Sequence, residues 1–314
     1  MIPDLVLLGN LLVDDVVFAD GRTRMGEAGG AMLYAALAAS LWGVRAGCVS
    51  LQGDDYPLAA LDALRARGVA LDGVHPLHRN GVRTWLLYES AVRRVIHRLG
   101  CPTHEAVSPA PAHVPAAWRT ARAFHLAPMP FDTQAALVRA IRAWESPERP
   151  AFISLDPHLP ITPDTVARHR TLLAEVDAFF PSDDEMLLPD ATRDPAGVLA
   201  SLDPAEPGAP RRLRFVAWKR GARGGTLYDA STKRAHDWAP RATRVEDPTG
   251  AGDAFMAGFV SAQWESDDVE RALRRGIVTA SFAIEAWGAD GLLAATPETV
   301  RSRLASWAQE KVCS

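Results

Sequence analysis

The chain has 314 residues, a net charge of −4 and a hydrophobic content of 48%. This composition supports a large core and excludes both the basic stripe of a nucleic-acid-binding protein and the bias of a disordered chain. Its three cysteines lie far apart without a CxxC pair, so neither a disulfide framework nor a zinc site is indicated. No apolar run has membrane-spanning length and the N-terminus lacks a secretory pattern. We therefore expect a cytoplasmic protein with a small-molecule partner, no nucleic acid and no membrane.

Short apolar runs alternate with helical patterns along most of the chain. Buried strands are predicted at residues 5–8, 45–49, 123–126, 151–155, 178–180 and 213–217. Helices are predicted between them at 31–42, 56–67, 133–144, 163–173 and 195–202, and after Trp238 at 250–264, 268–285 and 297–309. This alternation predicts an α/β fold with a central, mostly parallel sheet flanked by helices.

One region departs from the alternation. Residues 82–88 and 94–99 are consecutive strands without a helix between them, which predicts a hairpin, and residues 13–19 also read as extended. We expect a small β-sheet lid, formed by approximately 11–28 and 77–102, within a single domain of residues 1–314. Such a lid closes over substrate or forms the contact of a homodimer, and the sequence leaves both open.

Three arginines, Arg83, Arg93 and Arg94, fall on this hairpin. They form either a solvated face, which is the usual situation of arginine, or a clamp for an anionic substrate. We favour the solvated face.

Two common nucleotide-binding signatures are absent. Only three of the 34 basic residues are lysines, and no GxxxxGK[ST] pattern occurs, which excludes a P-loop. The first strand is followed by LLVDDVVF instead of a GxGxxG helix, which argues against a dinucleotide-dependent reductase. A phosphate site in this chain must therefore use other groups.

The segment DPTGAGDAFMAG, residues 247–258, carries the strongest functional signal. Gly250, Ala251 and Gly252 leave the backbone uncrowded at the start of an apolar helix, whose first N–H groups can bind a phosphate. Asp253 falls in the first turn, where a base would face that phosphate. The alternative is an ordinary capped helix.

A second pattern, GEAGGAMLYAALAASLWG at residues 26–43, gives this segment its context. Together the two resemble the signatures of the ribokinase-like (PfkB) family of sugar and nucleoside kinases, in the same order and at about the same separation. GNLLVD, the lid, SLDPH, PSDDE and KRGARGG extend the resemblance over nearly the whole chain. It implies a ribokinase-like fold and ATP-dependent transfer of the γ-phosphoryl group to a hydroxyl of a small sugar or sugar-like substrate.

The resemblance also implies roles for individual residues. The general base is Asp253, and the anion hole is formed by Gly250, Ala251 and Gly252. Residues on the substrate side are Asp14, Gly29, Gly30, Tyr34 and Asp247. Residues on the cofactor side are Lys219, Gly221, Gly224 and Thr249. Glu185 organises Mg²⁺ through water, and the region of Asp247 and Thr249 binds a monovalent cation such as K⁺ in many members. For Asp14 a turn role is the alternative.

Three departures from the family pattern bear on function. Ser182 stands where the NxxE motif has asparagine, Tyr34 replaces an asparagine of the sugar-binding helix, and APMPF follows the strand at 123–126 where a polar residue is common. Tyr34, Met129 and Phe131 are either an apolar surface for a nucleoside base or packing residues, and packing is favoured for the last two. The alternatives to a sugar kinase are a nucleoside kinase and a catalytically weak ligand-binding protein of the same fold.

Overall fold

The computed structural model describes residues 1–89, 94–204, 212–241, 243–263 and 268–310. Its strands are β1 (Leu5–Leu8), β2 (Leu12–Phe18), β3 (Thr23–Gly29), β4 (Ala46–Gln52), β5 (Ala70–Pro76), β6 (Arg83–Tyr88), β7 (Arg94–His97), β8 (Ala123–Leu126), β9 (Phe152–Leu155), β10 (Ala178–Phe179), β11 (Phe215–Lys219), β12 (Gly225–Asp229) and β13 (Arg234–Trp238). Its helices are α1 (Ala31–Ser40), α2 (Leu58–Ala66), α3 (His104–Val107), α4 (Phe131–Trp144), α5 (Val166–Leu173), α6 (Pro195–Ser201), α7 (Ala251–Ala262), α8 (Val269–Ile284), α9 (Asp290–Ala294) and α10 (Pro297–Glu310). None of these helices is both long and apolar enough to cross a bilayer.

Within the described residues, the main sheet has nine strands in the order β13-β12-β11-β10-β9-β8-β1-β4-β5. Neighbours from β5 to β11 are parallel, which confirms the predicted α/β arrangement, and β12 and β13 form an antiparallel edge. The chain first builds outwards from β1 to β5 and then returns through β8 to the other side. In open α/β sheets ligands bind where the strand order reverses, beyond the carboxyl ends of the strands. That position is the end of β1.

Strand β1 shows how the core divides into two layers. Its four residues are fully buried, and successive side chains point to opposite faces of the sheet. Leu5 and Leu7 pack into the layer that contains α1, α7 and α8, whereas Val6 and Leu8 pack into the layer of α4, α5 and α6. Each such side chain contributes about 1.5–3 kcal/mol on burial, so both layers fix the position of β1.

The sequence analysis missed four strands, of which β5, β13 and β3 lie at sheet edges and β12 lies inside the main sheet. Strand β5 is the last strand on one side, and its residues are mostly half-buried, so it lacks a continuous apolar run. Strand β13 (RAHDW) forms the opposite edge and is largely polar and exposed. Strand β3, at one edge of the lid, is mostly half-buried, with two exposed residues near its start. Polar edges of this kind resemble loops in sequence.

A second sheet forms the predicted lid, in the order β3-β2-β6-β7. The pairs β2–β3 and β6–β7 are antiparallel, while β2 and β6 run parallel, so the lid sheet is mixed. The hairpin of β6 and β7 is confirmed. Its turn at residues 90–93, which includes Arg93, lies outside the described residues.

The arginines of the lid do not form the uniform solvated face that we favoured. Arg83 makes two 2.7 Å contacts with the carboxylate of Asp15, which is buried and also accepts a hydrogen bond from the Gly26 N–H. The Arg83 guanidinium holds the pKa of Asp15 below its ordinary value. Arg83 therefore ties β6 to β2 inside the lid. Arg94, by contrast, is exposed and pairs with exposed Glu89.

Helices α7 and α8 approach each other closely through glycines. A Cβ at Gly258 would lie 2.7 Å from the carbonyl oxygen of Arg275, and a Cβ at Gly276 would lie 2.9 Å from that of Phe255. Both distances are below normal contact, so backbone would have to move. This contact holds the helix that begins with GAGD against the rest of the layer.

We expect Gly258→Ala to destabilise the protein, although alanine is the better helix former by about 0.5–1 kcal/mol. Separating two packed helices costs about 1–3 kcal/mol, which exceeds that gain. Urea unfolding should show a lower midpoint for the variant. A midpoint equal to or above that of the wild type would show that α7 and α8 tolerate a side chain here.

Candidate active site

Helix α7 begins at a glycine in the left-handed region. Gly250 has φ 76° and precedes the first turn, whose N–H groups receive no side-chain cap. The ring of Tyr34 lies directly against Gly250, so a Cβ at that position would overlap it. Two positions on, a Cβ at Gly252 would lie 3.2 Å from the Lys219 ammonium nitrogen. The glycines thus leave space for Tyr34 and Lys219. The Ala251 N–H donates to the carbonyl oxygen of Pro248 at 3.3 Å, and the N–H groups of a first turn without a side-chain cap suit an anion.

Asp247 organises the turn before this helix. Its carboxylate accepts hydrogen bonds from the N–H and Oγ1 of Thr249, at 2.9 and 2.7 Å, and from the N–H of Gly288 at 2.9 Å. The residue is 0% exposed. In this structure the carboxylate holds the turn, and a contact of Asp247 with substrate stays a prediction.

Thr249 connects the same turn to the lid. Its hydroxyl donates to Asp247, so the 2.5 Å contact with Tyr88 Oη is a hydrogen bond donated by Tyr88. The Tyr88 ring stacks on Phe18 at 4.9 Å, and Phe18 in turn meets Trp287 edge-on at 4.7 Å. The lid is therefore in contact with the turn that starts α7.

The predicted substrate-side residues of the lid lie together. Asp14 on β2 is buried, and its carboxylate lies so close to Gly29 that no side chain fits there. Gly30 has φ 97° and lies against the carbonyl oxygen of Asn10, at the end of β1. The Asp14 side chain therefore requires glycine at position 29, and the backbone of Asn10 requires it at position 30. The structure brings Asp14 to the edge of the main sheet where the strand order reverses.

Tyr34 lies near the carboxylates of Asp14, Asp247 and Asp253. Burial, followed by the charges of Asp14, Asp247 and Asp253, raises its pKa well above the ordinary value. Residues predicted from segments far apart in the chain therefore converge around one ring. That ring is only 3% exposed, so its role as a substrate surface stays a prediction, and its contact with Gly250 makes it a support for the start of α7.

Lys219 and Asp156 form an ion pair beside the same helix start. Lys219 is the last residue of β11 and Asp156 follows β9, and the ammonium lies 2.9 Å from Asp156 Oδ1. Burial raises the pKa of Asp156 to about 7, against the opposing effect of Lys219. The pKa of Lys219 is lowered by burial and raised more strongly by Asp156, Glu185 and Asp253, with a net increase. Three carboxylates thus act on one ammonium.

Sequence reasoning missed Asp156 as a site residue. The available signal was an acidic residue at the carboxyl end of the apolar run 151–155, in SLDPH. Carboxyl ends of parallel strands meet at the ligand-binding edge of an open sheet, so an acid at that position is a candidate for the site.

Glu185 and Ser182 form a closed turn. Glu185 Oε2 accepts hydrogen bonds from the N–H and the hydroxyl of Ser182, both at 2.7 Å. The serine that replaces the expected asparagine therefore orients Glu185 directly. Across the described residues, no group of three or more His, Cys, Asp or Glu side chains is arranged to hold a metal ion.

The two predicted cofactor-side glycines differ in their surroundings. Gly224 has φ 75° and lies against the carbonyl oxygen of Trp238, so its lack of a side chain is explained by packing against β13. Gly221 has φ 53° and open space around it. Of the apolar candidates, Met129 is fully buried and Phe131 packs between His169 and Arg168, as expected for packing residues.

The family comparison agrees with this geometry. The model of the pfkB family carbohydrate kinases matches residues 10–295. The chain belongs to this family. A cytidine kinase from Thermococcus kodakarensis is 26% identical over 293 residues, or 91% of this chain and 97% of the relative. A ribokinase from Bacillus subtilis is 26% identical over 302 residues, or 92% of this chain and 95% of the relative.

A solved structure with the same fold is described as an E. coli ribokinase II in complex with ATP and Mg²⁺. It superposes with a TM-score of 0.72 at 20% identity, over 96% of this chain and 98% of that one. The fold is therefore ribokinase-like. As a PfkB member, the protein is a phosphotransferase with an alcohol group as acceptor, a sugar or nucleoside kinase.

A histidine cluster joins the PfkB lid to the main sheet. His104 Nδ1 lies 3.3 Å from Asn10 Nδ2, His104 Nε2 lies 3.3 Å from His97 Nε2, and His97 Nδ1 lies 3.3 Å from Thr84 Oγ1. An amide donor at Nδ1 requires His104 to be neutral with its proton on Nε2. Burial, followed by His158 and His97, lowers the pKa of His104 to about 4.

This lowered pKa predicts a loss of stability in acid. In the unfolded chain a histidine binds its proton near pH 6.5, whereas folded His104 does so only near pH 4. The unfolded state therefore binds more protons in this window, and stability falls as the pH drops from 6.5 to 4. We expect His104→Gln to reduce that fall in urea unfolding measured at pH 7.5, 6 and 5. Equal pH dependence in both proteins would contradict the assignment.

Proposed function

We propose that this PfkB kinase transfers the γ-phosphoryl group of ATP to a hydroxyl of a small sugar, with Asp253 as general base. The observation that carries the proposal is the first turn of α7. There Asp253 and the N–H groups at Gly250 and Gly252 lie beside the Lys219 ammonium, at the reversal point of the sheet, while the Ala251 N–H donates to the carbonyl oxygen of Pro248 at 3.3 Å. Residues 1–314 act in this proposal as one kinase domain.

The proposed step assigns one role to each group. The substrate hydroxyl loses its proton to the Asp253 carboxylate as its oxygen bonds to the γ-phosphorus. The bond from that phosphorus to the β–γ bridging oxygen breaks, and ADP leaves. The N–H groups of Gly250, Ala251 and Gly252 stabilise the charge on the transferring group, which needs positioning and charge stabilisation more than covalent help.

The sugar-binding part of the proposal rests on the lid. Asp14 provides a carboxylate for substrate hydroxyls, Gly29 leaves room for that carboxylate, and Gly30 allows close approach to the backbone of Asn10 after β1. A nucleoside is the second candidate substrate. Two observations favour it, namely the aromatic stack of Phe18 and Tyr88 next to Thr249 and the similarity to a cytidine kinase.

ATP and Mg²⁺ have suitable residues nearby. The open surface at Gly221 supports a nucleotide position, with Lys219 directed at the phosphates. Glu185 would hold Mg²⁺ through water, a common mode for an ion that keeps much of its hydration shell. Magnesium supplies charge neutralisation on the phosphates. A monovalent cation such as K⁺ near Asp247 and Thr249 rests on the family resemblance alone.

The exposed apolar residues of the lid support a homodimer through this sheet. They are Met25, Val95, Ile96 and Leu99. Met25 lies on β3 and Val95 and Ile96 lie on β7, so both edge strands of the lid sheet present exposed apolar side chains to a partner. We also retain the proposal of a cytoplasmic location, in which Cys48 and Cys101 are free thiols.

The central test is Asp253→Asn, which retains size and polarity but cannot accept the proton. Turnover should fall about 10²- to 10⁴-fold while substrate binding survives. The acceptor is first identified by thermal shift with sugars and nucleosides in the presence of an ATP analogue. Turnover is then measured by ADP release.

Asp132→Asn is the matched control, since Asp132 also lies in the first turn of a helix, α4, but is exposed and pairs only at the surface with Arg168. It should leave turnover unchanged. Near-wild-type turnover of Asp253→Asn would remove Asp253 as the base. Ligand binding without turnover in the wild type would favour the catalytically weak binding protein.

The metal role of Glu185 is tested by Glu185→Gln. A neutral amide attracts hydrated magnesium less than a carboxylate, so half-maximal activity should require about tenfold more Mg²⁺. Asp184→Asn, in the same turn, is the control and should change the requirement little. If the magnesium titration of Glu185→Gln overlays that of the wild type, Glu185 does not organise the metal. The Ser182–Glu185 hydrogen bonds then only cap the local turn, and the motif lies outside the active site.

A further inference from the structure

The Lys219 ammonium is shared between a buried carboxylate and the proposed phosphate site. It lies 2.9 Å from Asp156 Oδ1 on one side. On the other side it reaches the first turn of α7, 3.2 Å from the position of a Cβ on Gly252. A small change in the side-chain torsions of lysine therefore moves the charge from one partner to the other.

Asp156 is poorly compensated apart from Lys219. Its Oδ2 lies 3.9 Å from His125 Nε2, and both atoms are buried without a hydrogen-bond partner in the described part of the chain. The other ring nitrogen of His125 contacts Ser154 Oγ at 2.9 Å. A buried carboxylate that loses its only cation must be neutralised, because an uncompensated buried charge is very costly.

We propose that Asp156 is a positioning residue that holds Lys219 at the start of α7 and takes up a proton from solvent when the ammonium turns to a nucleotide phosphate. This inference rests on the proposed kinase function. The proton goes to the carboxylate, since burial lowers the pKa of His125 to about 3 and that ring stays neutral.

The groups around Asp156 give the direction of this proton uptake. Lys219 on β11 lowers the pKa of Asp156, whereas burial and the charges of Asp253 on α7 and Glu185 after β10 raise it. With Lys219 in place the pKa is about 7, so loss of the ammonium moves it higher. At pH 7 binding of a nucleotide should then consume about half a proton.

The experiment is calorimetric titration of the whole protein with AMP-PNP and Mg²⁺ at pH 7, in two buffers of different ionisation enthalpy. The wild type should take up about half a proton more than Asp156→Asn, whose amide oxygen still accepts from Lys219 but cannot titrate. Lys219→Met should also lose the extra uptake, because Asp156 is already neutral there. If Asp156→Asn does not fold, the proton uptake of Lys219→Met is compared with that of the wild type instead.

A double-mutant cycle with the same probe separates positioning from packing. If Asp156 acts through Lys219, AMP-PNP affinity should fall about tenfold in Lys219→Met and no further in the double variant. Asp62→Asn is the control, since Asp62 on α2 pairs with Arg65 at the surface, 2.7 Å away. It should change neither affinity nor proton uptake.

The outcomes distinguish the two proposals. A wild-type protein that does not bind AMP-PNP overturns the kinase function and this inference with it. A wild type that binds, together with unchanged proton uptake in Asp156→Asn or additive effects in the cycle, overturns the role of Asp156 alone.

Discussion

The first turn of α7 cannot satisfy its own N–H groups, and the arrangement around it follows from that constraint. Gly250 enters the helix in a left-handed conformation that a side chain would oppose, and no side chain caps the turn. The positive end of the helix therefore faces outwards, with one ammonium, Lys219, beside it. The backbone N–H groups and the Lys219 ammonium together favour an anion here. Asp253 lies in the same first turn, next to these groups.

The lid and the helix start are mechanically connected. Tyr88 donates to Thr249, Thr249 donates to Asp247, and Asp247 accepts from Gly288, so a lid residue ends a chain of bonds that sets the turn before α7. Arg22 adds a contact to Glu246, which also accepts from Trp287. If the lid moves, either these hydrogen bonds break or the turn before α7 moves with the lid. Opening of the lid and the geometry of the anion site are therefore coupled through one short segment.

Local patterns in the sequence were sufficient for the helix-start motif, the parallel strands and the lid hairpin, because each depends on residues close in the chain. Asp156 and Lys219 are 63 residues apart in the chain, and neither segment by itself indicates that the two side chains pair. Arg83 and Asp15 show the same limit, since a charged side chain on a hairpin reads as solvated until its buried partner is known. The hydrogen bonds of Asp247 to Thr249 and Gly288 could not be predicted either, because a carboxylate that holds a turn and one that binds a sugar look alike in sequence.

The near absence of lysine makes Lys219 informative. Arginine supplies most of the positive charge in this chain, yet the position facing Gly252 has an ammonium. A guanidinium is planar and larger and holds its charge in a fixed fork, whereas an ammonium is a compact charge on a flexible stem. Lys219 places this compact charge 2.9 Å from Asp156 Oδ1 and next to Gly252 in the first turn of α7. The absence of a side chain at Gly252 is consistent with this arrangement, because a Cβ there would lie 3.2 Å from the Lys219 ammonium nitrogen and would crowd it.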